Sequence, residues 1–99
     1  MRNRSWRVEL LYVEVTNHHL QIVTVHEKYT IFESLNRFEK QLPEGCFARC
    51  SQSFLVNLRQ VRKINTASVM VDTYELPVSR AKKKAFFQAV SNYFGGGMR

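Results

Sequence analysis

Short segments rich in apolar and β-forming residues, separated by polar breaks, occupy the first third of the chain and predict a run of short β-strands. Residues 7–15 are rich in β-forming side chains, which predicts a strand that is partly buried on both faces. Residues 20–26 form its predicted hairpin partner, with residues 17–19 as the turn between them. A second turn at residues 27–28 leads to a third predicted strand over residues 29–32.

Apolar residues take up helical spacing immediately after these strands. Ser34 begins the first predicted helix. Its buried face carries Leu35, Phe38 and Leu42, which lie on one side of a helix. The Pro-Glu-Gly sequence at positions 43–45 ends it.

A second predicted helix covers residues 79–94, with Ser79 as its N-cap. The apolar residues of its buried side and flanks are Phe86, Phe87, Val90, Tyr93 and Phe94. Glycines at positions 95–97 end it, because glycine readily adopts the backbone conformation that closes a helix.

The segments between the two helices have the composition of short strands and turns. The predicted strands there cover residues 47–50, 61–65, 68–72 and 75–78. Residues 51–53 are predicted as a polar break and residues 54–58 as a helical turn. Because strands dominate, the predicted fold is mainly β, with small covering helices and a C-terminal helix. We expect one domain over residues 1–99, with a short basic start at 1–7 and a flexible tail at 95–99.

Composition narrows the class of protein. The apolar fraction of 44% is ordinary for a globular domain. No apolar run approaches the roughly 18–20 residues of a membrane-spanning helix, and the start lacks the apolar stretch of a secretory signal. We therefore expect a cytoplasmic protein without a membrane partner. Cys46 and Cys50 are too far apart in an extended segment for a disulfide, and no ligand spacing indicates zinc, so we expect neither a metal nor a cofactor.

Positive charge is concentrated in the C-terminal half. The formal net charge is +7; residues 1–45 contain six basic and six acidic residues, whereas residues 46–99 contain nine basic residues and two acidic ones. This asymmetry is typical of a surface that binds a polyanion such as nucleic acid.

The last helix begins with charges of the unfavourable sign. Arg80, Lys82, Lys83 and Lys84 follow Ser79. A helix N-terminus already carries about half a positive charge and disfavours each cation by about 0.3–1 kcal/mol. A phosphate over the helix start would meet free N–H groups and lysines together, which accounts for the arrangement. The alternative is a solvated basic face whose repulsion is screened by salt.

Two segments are informative together: FARCSQSFLVNLRQVRKI, which begins at Phe47, and ELPVSRAKKKAFFQAV, which begins at Glu75. They resemble the LytTR family of bacterial DNA-binding domains, whose members carry similar R-x-H/S-x-S-F-L-V-N-L and L-P-V-S-R segments. LLYVEVTNHHLQIVT, which begins at Leu10, resembles the strand–turn–strand opening of that family. The resemblance covers residues 8–92. Family members usually have one or two further strands before this opening, whereas here only the charged residues 1–7 precede it.

The resemblance implies an elongated β-sandwich with small helices that inserts loops into successive major grooves of duplex DNA. It implies sequence-specific binding by the output domain of a bacterial two-component response regulator. Family members typically bind paired direct repeats on one side of the duplex. A receiver domain in a longer parent chain is the implied covalent partner.

The resemblance also assigns roles to individual positions. The turn that contains His18 and His19 matches the first DNA-contacting loop, without distinguishing the two histidines. Gln52 and Arg80 match base-contacting positions, since Gln suits adenine and Arg suits guanine. Asn57 is implied to be structural. The predicted phosphate contacts are Arg49, Ser53, Ser79, Lys82, Lys83 and Lys84.

Each assignment has a simpler alternative: Gln52 and the histidines are solvated turn residues, and Arg49 pairs with a glutamate. Other functions also stay open. An RNA or single-strand binder needs exposed aromatic residues on a sheet face. The aromatics at core-like positions are Phe38, Phe54, Phe86 and Phe87. A protein-interaction module that binds acidic partners would use the same basic patch. We expect no enzyme, since the sequence has no Gly-rich phosphate loop, nucleophile elbow or metal quartet.

Overall fold

The structure is a computed structural model that describes residues 10–95; residues 1–9 and 96–99 lie outside that description. The strands are β1 (Leu10–Thr16), β2 (His19–Thr24), β3 (Lys28–Ile31), β4 (Phe47–Ser51), β5 (Phe54–Asn57), β6 (Val61–Ile64), β7 (Ser68–Val71) and β8 (Tyr74–Pro77). The helices are α1 (Leu35–Lys40), the short 3-10 helix η1 (Leu58–Gln60) and α2 (Arg80–Gly95).

The strands form two antiparallel sheets. One has five strands in the order β3-β2-β1-β5-β4, and the other has three in the order β6-β7-β8. Two hairpins, β1–β2 and β4–β5, are joined at the centre of the larger sheet by the pairing of β1 with β5. The principal dimensions are 36 × 28 × 25 Å, so the elongation is modest. The predicted fold class, a mainly β sandwich with small covering helices and a C-terminal helix, is confirmed.

Both faces of the five-stranded sheet are buried along its central strands β1 and β5, whereas the edge strand β3 is mostly exposed. On one face, side chains such as Val56 pack with Val71 of the smaller sheet and with Phe86 of α2. On the other face, side chains such as Leu55 pack against Phe38 of α1. The sheet is thus the middle layer, with the smaller sheet and α2 on one side and α1 on the other.

A β-bulge in β1 explains why consecutive apolar residues are buried there. The register with β2 shifts between Leu10 and Tyr12, so Leu11 and Tyr12 both contact the cluster between the sheets. Leu10 and Val13 contact the cluster under α1. The extra residue of a bulge interrupts the strict alternation of a strand. The predicted burial on both faces is confirmed within residues 10–16; the predicted first strand also included residues 7–9, which lie outside the described residues.

The prediction of a helical turn at residues 54–58 is wrong. Residues 54–57 form the strand β5, and only Leu58–Gln60 turns as a 3-10 helix. β5 lies between β1 and β4, where both faces are buried, so its sequence is apolar without a two-residue period. A short apolar run of this kind cannot be assigned to strand or helix by periodicity alone.

Several predicted boundaries move by one or two residues. His19 belongs to β2 and Lys28 to β3 rather than to turns, and Ser51 belongs to β4. α1 ends at Lys40, yet Leu42 beyond it is still buried in the cluster under α1. The predicted basic start at 1–7 and the glycines at 96–97 lie outside the described residues.

Candidate nucleic-acid interface

Two polar turns lie at the same edge of the five-stranded sheet. The β1–β2 turn contains Asn17 and His18, and the β4–β5 turn contains Gln52 and Ser53. Because β1 and β5 are antiparallel neighbours, the end of β1 meets the start of β5. The Val15 N–H donates to the Ser53 carbonyl oxygen at 2.8 Å. Two predicted base-contacting positions that are distant in sequence therefore meet at one edge.

A second bulge attaches the start of α2 to this edge. The register of β4 with β5 shifts between Arg49 and Ser51, which leaves Cys50 as the extra residue. The Cys50 carbonyl oxygen accepts from the Ser79 N–H at 2.8 Å. Bulges often redirect a strand next to a functional site. Here the bulge holds the residue before Arg80 beside the end of β4.

Ser79 is the N-cap of α2, as predicted. Its Oγ accepts from the Lys82 N–H at 3.2 Å. Arg80 and Lys84 are exposed and, four residues apart, share one face of the helix. Lys82 and Lys83 are half-buried, and the Lys83 Nζ lies 5.8 Å from the centroid of the Phe87 ring.

No acidic side chain of residues 10–95 neutralises this helix start. The ion pairs that the structure records for that part of the chain are Arg49–Glu39 and Arg62–Asp72, and neither involves α2. The first turn of α2 contains no acidic residue. The positive end of the helix dipole and the nearby cations therefore add to one another at the surface.

The structure distinguishes the two histidines. Asn17 adopts φ +50°, a left-handed conformation that Asn tolerates better than most residues, and this places His18 at the exposed tip of the turn. His19 begins β2 and is half-buried, with its ring 5.5 Å from the ring of Phe32 in an edge-to-face arrangement. Gln52 is exposed in a turn that is held by the Ser51 Oγ, which accepts from the Ser53 N–H at 3.2 Å.

Arg49 pairs with a glutamate, the simpler alternative considered from the sequence. Its Nε donates to a carboxylate oxygen of Glu39 at 3.1 Å, and its terminal nitrogen donates to the Asn36 side chain at 2.6 Å. These contacts connect β4 to α1. Asn57 is structural, as expected: its amide nitrogen donates to the Leu10 carbonyl oxygen at 2.6 Å in the interior.

Two features at this edge were not predicted from the sequence as part of the site. The β6–β7 turn at residues 65–67 lies beside the start of α2, because the Val78 N–H donates to the Ala67 carbonyl oxygen at 2.9 Å. Phe32, directly after β3, is 82% exposed beside His19. Only the strand pairing places either feature at the edge, so no local sequence signal could have identified them.

The described residues also bear on metal binding, membrane spanning and cysteine reactivity. Among residues 10–95, no group of three or more His, Cys, Asp or Glu side chains is arranged to hold a metal ion. Within the same range no helix is both long and apolar enough to cross a membrane. Cys46 and Cys50 are free thiols, and burial raises the pKa of Cys50 to about 12, so it is protonated and unreactive near neutral pH.

A small two-sheet domain with polar turns beside a cationic helix start is, in class, a β-rich nucleic-acid-binding domain. Comparison with known families agrees with this class: residues 7–91 match the model of the LytTr DNA-binding domain. Since the match covers most of the chain, the chain belongs to the LytTr family of DNA-binding domains.

Individual relatives support the placement. The chain is 33% identical over 87 residues to the transcriptional regulatory protein YpdB of Escherichia coli K12, a match to 81% of this chain and 36% of YpdB. It is 29% identical over 82 residues to the sensory transduction protein LytT of Bacillus subtilis 168, a match to 77% of this chain and 34% of LytT. The chain thus spans about a third of the length of these relatives.

A solved structure shows the same fold. The LytTr DNA-binding domain of a Bacillus cereus response regulator superposes with a TM-score of 0.73 at 24% sequence identity. The superposition covers 90% of this chain and 84% of that one.

Proposed function

We propose that this domain recognises a specific sequence of duplex DNA through the sheet edge that carries His18, Gln52 and Arg80. The observation that carries the proposal is the convergence of these three exposed side chains, from distant parts of the sequence, beside a cationic helix start. No acidic side chain among residues 10–95 forms an ion pair with that helix start. Membership of the LytTr family supports DNA as the bound polymer. The shared edge of these side chains supports the proposed way of binding it.

The three side chains suit base recognition. Gln52 and Arg80 present bidentate groups that match adenine and guanine respectively in the major groove. Neither side chain forms an ion pair or a hydrogen bond within residues 10–95. Both can therefore contact a base without first breaking such a contact. Of the two histidines, we assign the base contact to His18, because His19 packs against Phe32.

Contacts to the phosphate backbone are proposed for the residues that surround these three. Lys84 shares the exposed face of α2 with Arg80, and Lys82 lies in the first turn. The hydroxyls of Ser53 and Ser79 lie in the β4–β5 turn and at the helix start. The half-buried Lys83 contributes charge from beside Phe87. A direct phosphate contact by Arg49 stays a prediction, and its guanidinium would first have to leave Glu39.

The role in a larger protein is also a proposal. The chain spans about a third of YpdB and LytT, whose names describe a transcriptional regulator and a sensory transduction protein. We infer a single-domain, non-catalytic output module of a cytoplasmic two-component regulator, with a receiver domain in the parent chain. Paired direct repeats are the operator arrangement we expect.

The first experiment selects bound sequences from a random duplex pool and then compares two arginine variants. Arg80→Ala should cost about 1–3 kcal/mol of binding free energy and relax the preference at one base pair. Arg59→Ala is the matched control, because Arg59 is exposed in η1 at the opposite end of β5. Unchanged affinity and sequence preference in Arg80→Ala would refute the assignment.

The second experiment measures the salt dependence of binding. Lys84→Ala should weaken binding to all duplexes similarly and reduce the slope of log K against log salt by about one. Lys28→Ala is the control. Lys28 is the first residue of β3, at the opposite end of that strand from the proposed edge, so this variant should leave the slope unchanged. A domain that binds all duplexes equally but an acidic peptide more tightly would instead favour the protein-interaction alternative.

Single-strand binding is the less favoured alternative. Phe38 and Phe86 are buried, and Phe54 and Phe87 are half-buried against the core, so these four do not present a stacking platform. Phe32 is exposed at the proposed edge, but a single ring there is less than the several exposed aromatics that stack successive bases. Competition between labelled duplex and single-stranded RNA of equal length tests this: duplex should win.

A further inference from the structure

We infer that Phe32 is a specificity-determining residue that contacts the C5-methyl group of a thymine in the bound duplex. The inference rests on the proposed function and adds a contact at a fourth point of the same sheet edge. Phe32 lies in the connection between β3 and α1, outside the segments that resembled the family most clearly.

The exposure of Phe32 is unusual within the described residues. Phe32 is 82% exposed, whereas the other large exposed hydrophobic residues of this part of the chain, Val25, Tyr29 and Phe94, are between 46% and 52% exposed. Removing a phenylalanine side chain from water is favourable by about 1.5–3 kcal/mol. The free domain forgoes most of that stabilisation at this position, and a partner that covers the ring would recover it.

The strand register places this ring on the proposed DNA-binding edge. Leu20 of β2 pairs with Ile31 of β3 in antiparallel register. The next residues toward the proposed edge are therefore His19, before Leu20, and Phe32, after Ile31. Their rings meet edge to face with centroids 5.5 Å apart. Because His19 follows His18 at the tip of the β1–β2 turn, Phe32 lies close to a proposed base contact.

Phe32 extends the row of proposed contacts across the sheet. The row runs from β3 through the β1–β2 turn to the β4–β5 turn and the start of α2, in the strand order of the sheet. Four spacings of about 4.8 Å separate β3 from β4, roughly 19 Å in all. At about 3.4 Å per base pair, a base that contacts Phe32 lies no more than about six base pairs from the one that contacts Gln52.

Thymine is the base whose chemistry fits. The major-groove edge of each other base presents hydrogen-bonding groups, whereas thymine also presents a methyl group, and apolar side chains including Phe recognise it. A phenylalanine at the edge offers no hydrogen bond, so it favours thymine over the other bases by covering that methyl group.

The test is a double-mutant cycle between protein and DNA. The selected duplex is prepared with each thymine in the six-base-pair window replaced singly by deoxyuridine, which lacks only the methyl group. Affinities of the wild-type domain and Phe32→Ala are measured by fluorescence anisotropy. Phe94→Ala is the matched control, because Phe94 is also exposed but lies near the far end of α2.

The expected result is a coupling at one thymine. Wild-type affinity should fall about fourfold when that methyl group is removed, the effect of exposing one buried methyl. Phe32→Ala should bind the thymine duplex several-fold more weakly and should not respond to the same replacement. Its thermal melting should match the wild type, since an exposed side chain contributes little to folding. Phe94→Ala should respond to the replacement as the wild type does.

Two results would overturn the inference while leaving the proposed function intact. One is equal loss on deoxyuridine replacement in wild type and Phe32→Ala at every position, together with the expected loss of binding in Arg80→Ala. The other is a selected consensus without thymine in the window. By contrast, a wild-type domain that does not bind duplex DNA would overturn the proposed function itself.

Discussion

Replacing Asn57 by Ala is the most direct test of how the edge is held in place. Asn57 is 3% exposed at the end of β5. Its amide nitrogen donates to the Leu10 carbonyl oxygen at 2.6 Å, which connects β5 to the first residue of β1. Its side-chain oxygen accepts from the Arg59 N–H at 3.1 Å and caps η1. One side chain thus satisfies two backbone groups on different elements.

The cost follows from these two groups. A buried carbonyl that loses its donor costs about 1–3 kcal/mol, and loss of an N-cap costs about 0.5–2 kcal/mol. We therefore expect Asn57→Ala to lower the free energy of unfolding by about 2–4 kcal/mol, a large share of the roughly 5–15 kcal/mol typical of a domain. At about 4–8 °C per kcal/mol for a domain of this size, the melting temperature should fall by at least about 8 °C.

Urea denaturation followed by circular dichroism measures the change. Asn65→Ala is the control, because Asn65 is exposed and its side-chain amide donates to the exposed Ser68 hydroxyl at 3.2 Å. The backbone hydrogen bond from the Asn65 N–H to the Ser68 carbonyl oxygen is kept in this variant. It should stay within about 0.5 kcal/mol of the wild type. If Asn57→Ala were equally mild, the reasoning from the buried hydrogen bonds would be refuted, and water would have to satisfy the Leu10 carbonyl.

Three further outcomes are expected. Burial raises the pKa of Cys50 from 9.0 to about 12, so the folded state retains this proton longer than the unfolded state, and stability is lost as the pH rises from 9 towards 12. The free energy of unfolding should therefore fall more between about pH 8 and about pH 10 in the wild type than in Cys50→Ala. An equal fall in both proteins would contradict the raised pKa of Cys50 in the folded state. Asn17→Val should destabilise by about 1–2 kcal/mol because φ is +50°, whereas Asn17→Gly should not; thermal melting of the two variants must differ. Arg49→Ala breaks a pair whose side chains are 22% and 37% exposed, so water screens it and we expect at most about 1 kcal/mol of stability loss. DNA affinity measured on the same variant tests the predicted phosphate contact: a loss of affinity would support it, and an unchanged affinity would exclude it.

Local patterns predicted most of the elements. The helix start at Ser34 and the N-cap Ser79 were predicted because a hydroxyl before an apolar helical pattern acts within a few residues. β2 followed from its two-residue period, the other correctly predicted strands from β-forming composition between turns, and both α-helices from helical spacing of apolar residues. β5 was assigned wrongly, since the burial that makes it uniformly apolar comes from its neighbours in the sheet and from the layers on either face.

The sequence by itself determined the cationic start of the last helix, the excess of positive charge and the polar turns, because these depend on residues close together along the chain. Only the tertiary structure decided that the turns and that helix share an edge, through the pairing of β1 with β5 and the hydrogen bond from Ser79 to Cys50. It also separated His18 from His19 and brought Phe32 to the same edge. Contacts between distant segments form where they bury apolar surface and pair backbone groups together, and no local propensity encodes that choice.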